Sequence, residues 1–214
     1  MKRKAIAAYA VSLMLAVSCL TCACGKKSES GDPSAGETSS SQQTTVNKTA
    51  PLMSVGSYTA SAGDNVDVTV SLGNLDGKWS MCGIYLTYDN RLECITSADD
   101  PSVPKMKRGD AASEMMSAAA NIWLTQEDGS NNPEDSIGKG RGAVFFATMG
   151  DGDCGKDGDL VTFTFKVPDD AEKGTVYDFG FFHNEYDMFT NAANDKSLYD
   201  TIRENWQEGT LTVQ

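Results

Sequence analysis

Four carboxylates alternate with glycines in the stretch Asp151-Gly-Asp-Cys-Gly-Lys-Asp-Gly-Asp159, a density of hard oxygen donors that suits calcium. The spacing argues against that chemistry. With Asp151 as first ligand, a helix-flanked calcium loop needs an oxygen donor at position 5, Gly at 6 and a bidentate Glu at 12, where this chain has Gly155, Lys156 and Thr162. The residues after Asp159 alternate as those of a strand do, so the cluster reads as a solvated loop feeding a strand at Leu160, and neither a metal site nor a cofactor is expected. Other reactive side chains are few. His183, the only histidine, comes after an aromatic run and is expected to be structural or superficial. No nucleophile elbow, phosphate loop or metal motif is present. The acidic pairs Glu134/Asp135 and Glu185/Asp187 have the residue types of a glycosidase, but spacing along a chain does not set carboxylate separation across a cleft, and they read as surface charge. Trp79, Trp123 and Trp206 are suited to stacking on sugars; scattered as they are, at least two are expected to be packing residues. A binding protein, not an enzyme, is the expectation.

The elements that must position these residues are short and β-patterned. Val66, Val68, Val70 and Leu72 alternate with polar neighbours, as do Cys82, Ile84, Leu86 and Tyr88 with Met81, Gly83, Tyr85 and Thr87. Val161, Phe163, Phe165 and Val167 form one face of a third run, with Leu160, Thr162, Thr164 and Lys166 on the other; "GAVFFATMG", "YDFGFFH" and "GTLTVQ" supply further strands. Seven to nine strands, each with one apolar face to bury, imply an all-β, jelly-roll-like sandwich of two sheets. The Ala/Met/Glu-rich stretch from Gly109 to Trp123 breaks the alternation and predicts a short helical insert capped by Asp110. The segment from Asn194 to Gly209 fits a helix or a loop.

The ends of the chain place the domain. Lys2, Arg3 and Lys4 precede an uncharged apolar run, the layout of a bacterial export signal, and Thr21-Cys-Ala-Cys24-Gly places small residues before a cysteine. Residues 1–23 therefore read as a lipoprotein signal peptide with Cys24 as the lipidated residue. Cys19 and Cys22 are rival acceptors, and the run is also just long enough to stay as an uncleaved anchor. Residues 24–51 read as a Ser/Thr-rich flexible linker, and a coil of that length is expected to span on the order of 25–30 Å root-mean-square. Residues 52–214 are the folded domain. The signal segment holds three of the 18 basic residues and none of the 30 acidic ones, so the remainder carries a formal charge of −15 and is unsuited to nucleic acid. Beyond the linker only Cys82, Cys94 and Cys154 remain, an odd number without zinc-ligand spacing; a Cys82–Cys94 bridge stays open on the sequence alone.

In their order, Gly63-Asp64, the Val66–Val70 strand, Tyr88-Asp89 and Leu92-Glu93 resemble the opening of a cohesin domain. "KDGDLVTFTFKVPDDAEKGTVYDFGF" is similar to a later cohesin segment, and "GTLTV" to the family's last strand. The Ala/Met-rich insert and the tail from 184 to 208 depart from the simplest members. The resemblance implies a surface-tethered module that binds a calcium-loaded, dockerin-bearing partner, a polysaccharide-degrading enzyme or scaffold protein, on one sheet face around Ile84–Tyr88. With Cys82, Ile84, Leu86 and Tyr88 inward, Met81, Gly83, Tyr85 and Thr87 point out, joined by Leu160, Thr162 and Thr164 if their strand lies in the same sheet. The alternative is a carbohydrate-binding surface lipoprotein that takes a polysaccharide on an exposed coplanar row of aromatics; a third reading is a purely structural surface protein. Cys24→Ser is expected to abolish fatty-acid labelling and release the protein to the medium, because stable anchoring takes two hydrophobic signals. Labelling that survives the substitution moves the acceptor to Cys19 or Cys22.

Overall fold

Alternation with period two buries one side of each long strand, and the buried sides face each other. The computed structural model describes residues 49–184 and 188–214. The chain runs through β1 (Leu52–Val55), β2 (Ser57–Ala60), β3 (Asn65–Gly73), β4 (Met81–Asp89), β5 (Glu93–Cys94), β6 (Met106–Arg108), β7 (Ser117–Ile122), α1 (Glu134–Ile137), β8 (Arg141–Met149), β9 (Gly158–Lys166), β10 (Val176–Phe182), β11 (Met188–Thr190), α2 (Ser197–Asn205) and β12 (Gly209–Val213). One sheet has the order β1-β3-β9-β5 with β6 also on β9; the other has the order β2-β12-β10-β4-β8-β7 with β11 also on β4. The described pairings are antiparallel except β12 with β2. The result is the expected jelly-roll-like β-sandwich.

Val68, Val70, Phe163 and Phe165 of the first sheet and Ile84, Leu86, Phe146 and Phe179 of the second are buried in the common core. Phe165 crosses between the layers, with its ring centroid 4.8 Å from Tyr88 and 5.3 Å from Phe179. Burying eight such side chains contributes about 1.5–3 kcal/mol each, enough to fix the register of both sheets. Cys82 and Cys94 lie in different sheets, and no disulfide joins them. Burial pushes the Cys94 thiol up to about 12, which keeps it protonated and inert at neutral pH.

The predicted helix over Gly109–Trp123 is not formed. Asp110–Ala112 make a 3-10 turn whose N-cap is Gly109 with no side-chain bond, so Asp110 is not the cap. Ser117–Ile122 zip onto the edge of β8, from Ser117 opposite Met149 to Ile122 opposite Val144. Ala and Met favour helix only weakly, and an open strand edge that satisfies six residues of backbone outweighs that preference. The turn itself covers β9: Gly109 N–H donates to Leu160 O at 3.0 Å, and Ala111 and Ala112 are buried. Only glycine fits at 109, since a Cβ there would lie 2.0 Å from Asp159 O. The ambiguous tail resolves as α2, which buries Tyr199 and Ile202, three residues apart on one face, against β11 and β1.

The aspartates of the 151–159 loop are distributed among separate tasks. Asp157 accepts the backbone N–H of Asn74 (3.0 Å) and Leu75 (2.6 Å), Asp159 accepts Ser71 Oγ–H (2.9 Å), and Asp153 accepts Ala192 N–H (2.6 Å). The carboxylates thus tie three other segments to the start of β9. Asp157→Ala is expected to cost about 1–2 kcal/mol in a urea melt by orphaning two amides, whereas EDTA is expected to leave the melting temperature of the unmodified domain unchanged. A chelator effect as large as that of the substitution would show that the loop holds a structural metal.

Candidate functional site

The core decides which side chains of β4 face outward. Cys82, Ile84, Leu86 and Tyr88 are buried inward, so Met81, Gly83, Tyr85 and Thr87 lie on the outer surface of the second sheet. The neighbouring strands extend this surface in register. Phe182 (β10), Tyr85 (β4), Phe145 (β8) and Asn121 (β7) form one cross-strand row, and Met188 (β11), Gly83, Ala147 and Ala119 form the next. Met81 and Met149 pair beyond that.

The two rows differ in bulk, and that difference shapes the face. Gly83, Ala119 and Ala147 floor a shallow trench of about 250 Å³ walled by Met81, Met149 and Met188. Met149 is 43% and Met188 40% exposed, although both are apolar. In the aromatic row, Tyr85 lies 4.9 Å from Phe145, 6.0 Å from Phe182 and 5.3 Å from Trp123 between ring centroids. The Tyr85–Trp123 and Tyr85–Phe145 planes meet at 49° and 45°, so these rings do not form the coplanar row that a flat sugar platform requires. At the far end Arg141 closes the surface, donating from Nη2 to Thr87 Oγ1 at 2.8 Å and from Nη1 to Asp178 O at 3.1 Å.

The residues expected on this face divide. Met81 and Tyr85 are on it and half-buried; Gly83 is on it as trench floor, and Thr87 is buried beneath Arg141. Leu160, Thr162 and Thr164 are not part of it, because β9 belongs to the other sheet. Leu160 is fully buried, Thr162 bonds Thr69 through the two hydroxyls at 2.9 Å, and Thr164 donates to Asp67 Oδ1 at 2.7 Å. Phe145, Ala147 and Met149 were legible from the alternation in "GAVFFATMG" once β8 is set beside β4. Ala119 and Asn121 were concealed by the helical reading of their segment.

Among the described residues, no carboxylate or imidazole lines the trench or the aromatic row, and the cysteine of the trench lining, Cys82, is buried toward the core, so what the face presents is apolar and amide surface suited to binding. His183 lies apart, 5.1 Å from Tyr199 between ring centroids, with its buried Nδ1 lacking a hydrogen bond among the described residues. Desolvation holds its pKa below the ordinary imidazole range, Arg203 adds to that, and Asp200 opposes it. Trp79 is core and Trp206 stacks on Phe181 at 5.6 Å, as packing residues do. Glu134 accepts from Asn90 Nδ2 at 2.9 Å; Glu185 and Asp187, like Cys19, Cys22 and Cys24, lie outside the described residues.

Comparison with known proteins gives a consistent picture. A search of curated proteins found no match. Among solved structures, the fold is similar to a type III cohesin module from the cellulosomal ScaE cell-surface anchoring scaffoldin of Ruminococcus flavefaciens (21% identity, 80% of this chain and 89% of that one, TM-score 0.60). It is also similar to the sixth cohesin of Acetivibrio cellulolyticus scaffoldin B, solved in complex with a Cel5 dockerin mutant (15% identity, 78% and 100%, TM-score 0.53). A non-cellulosomal cohesin from the hyperthermophilic archaeon Archaeoglobus fulgidus shares the fold as well (14% identity, 77% and 91%, TM-score 0.50). The Cohesin domain profile matches residues 52–197, more than half of the sequence, and the chain belongs to the cohesin domain family.

Proposed function

We propose that this domain docks a calcium-loaded dockerin on the outer face of the second sheet, centred on the methionine-walled trench, and so tethers a polysaccharide-degrading enzyme or scaffold protein at the cell surface. One observation carries the reading: in a chain of formal charge −12, the central rows of this face present no charged side chain and leave Met149 and Met188 about two-fifths exposed. Burying that surface against a partner gains free energy that solvent exposure forgoes. Cohesin domains are non-catalytic binding modules, and the Acetivibrio relative was solved with a dockerin bound. The anchoring part rests on the lipobox-like Cys24 and the linker, and it finds a parallel in the surface-anchoring scaffoldin from which the Ruminococcus module comes.

Methionine suits such a wall, being unbranched and able to reshape around different partner side chains at little cost. Placing a carboxylate there forces the partner to bury an unpaired charge. Met81→Asp and Met149→Asp are each expected to weaken dockerin binding by about 2 kcal/mol or more with the melting temperature nearly unchanged, measured by calorimetric titration against a dockerin-bearing protein. Unaltered affinity in both variants would remove the trench from the interface. Chelation of calcium is expected to abolish binding through loss of the partner's fold, and restoring calcium to recover it.

A further inference from the structure

Beside the trench, on the same sheet but beyond the aromatic row, lies a second and larger depression of about 420 Å³, within the usual size of small-ligand sites. We infer that this cleft is a binding site for a neutral glycan chain, a function beyond dockerin docking. Its floor is aromatic, from Tyr85, Phe145 and Trp123, and its rim carries the amides of Asn121, Gln126 and Asn131. Among the described residues no charged one lines it, although 48 of the chain's 214 residues are charged. That combination selects a chemistry. An amide offers a donor and an acceptor side by side, as a pair of vicinal hydroxyls requires, and an aromatic face covers the apolar C–H face of a pyranose. An anionic or cationic ligand would lose its hydration there with no counter-charge in return.

The cleft is also held in shape before any ligand arrives. Trp123 is fixed at both ends: its backbone N–H donates to Ala143 O at 2.9 Å and its indole Nε1–H to Asn131 O at 2.9 Å, while its ring meets Tyr85 and Phe182. One wall, the loop after β7, is closed by Gln126 N–H to Ser130 O and Gly129 N–H to Gln126 O, both 2.8 Å; Asn131 takes the left-handed conformation (φ 55°). The opposite wall is joined to β7 by Ile122 N–H to Ser102 O at 2.8 Å. Rigid walls lower the ordering cost of binding. The tilt between the rings makes this a cleft for a single chain in solution, not a platform for a crystalline surface. Phe145 is the one residue shared with the lining of the trench, so the two sites can be separated by substitution.

The test titrates the folded domain with cellohexaose, xylohexaose and mannohexaose, and with hexagalacturonate as the anionic control, by calorimetry and tryptophan emission. At least one neutral hexasaccharide is expected to bind saturably at millimolar concentration and hexagalacturonate not to bind. Gln126→Ala, on an exposed residue, is expected to weaken the neutral sugar about tenfold, and Trp123→Ala to abolish its binding. Gln126→Ala retains the decision if Trp123→Ala fails to fold. Met149→Asp is expected to leave sugar affinity unchanged while it impairs dockerin binding, so the two readings fail independently. Absence of binding by all three neutral sugars overturns the inference, as does wild-type affinity in Gln126→Ala. Loss of dockerin binding in Gln126→Ala without any sugar binding would overturn it too, by assigning the cleft to the docking interface.

Discussion

Phe165 reaches from the first sheet to lie against Tyr88 and Phe179 of the second, and the arrangement of the outer face depends on that insertion. A strand has two faces, so fixing Tyr88 inward fixes Leu86, Ile84 and Cys82 with it and turns Tyr85, Gly83 and Met81 out. A slip of one residue would bury Tyr85 and expose Tyr88, losing several kcal/mol of apolar burial at a stroke. Nothing on the outer face needs to hold itself in place. Its geometry is inherited from the core through the β4 ladder, which pairs with β8 over nine residues from Met81–Met149 to Asp89–Arg141.

On that inherited face, side-chain size alone draws the boundary between two sites. Gly83, Ala147 and Ala119 stand in line across three strands and leave a hollow; Tyr85, Phe145 and Phe182 stand in line two residues along and raise a ridge. A Cβ at Gly83 would come within 3.4 Å of Phe145 Cζ, so the ridge leans toward the trench and forms its side. β7 matters because it widens the sheet by one strand: without it the trench would lose Ala119 and the cleft would lose Asn121 and the anchor of Trp123. The Ala/Met-rich stretch therefore supplies the edge strand of this surface.

The same physics separates the parts of the fold that were legible in the sequence from those that were not. Strands that bury one face, such as Asn65–Gly73 and Gly158–Lys166, announce themselves by alternation, and the sandwich could be inferred from them. Leu160 misled because β9 is buried on both sides at that point, the second time by a 3-10 turn whose approach depends on Gly109; alternation carries no record of a cover that comes from elsewhere in the chain. Which sheet a strand joins is likewise a long-range fact, and it removed Thr162 and Thr164 from the expected face. Ser117–Ile122 misled for the opposite reason. Its alanines carry a local helical preference of a few tenths of a kcal/mol per residue, too small to resist a complete ladder on β8.

Charge is kept to the margins of this face. The aspartates that first suggested calcium accept hydrogen bonds at the start of β9, from the Leu75 amide and the Ser71 hydroxyl, and the basic groups Arg91 and Arg141 are bound to Asp89 and Thr87 at a margin of the outer face. An excess of acid over base opposes contact between like-charged copies, yet the central rows themselves are uncharged. Recognition on such a face depends on shape and desolvation more than on steering, so discrimination falls to the depth of the trench and the set of the rings. Small residues set the first and the pinned indole of Trp123 the second, and both are held by strands whose register the core determines.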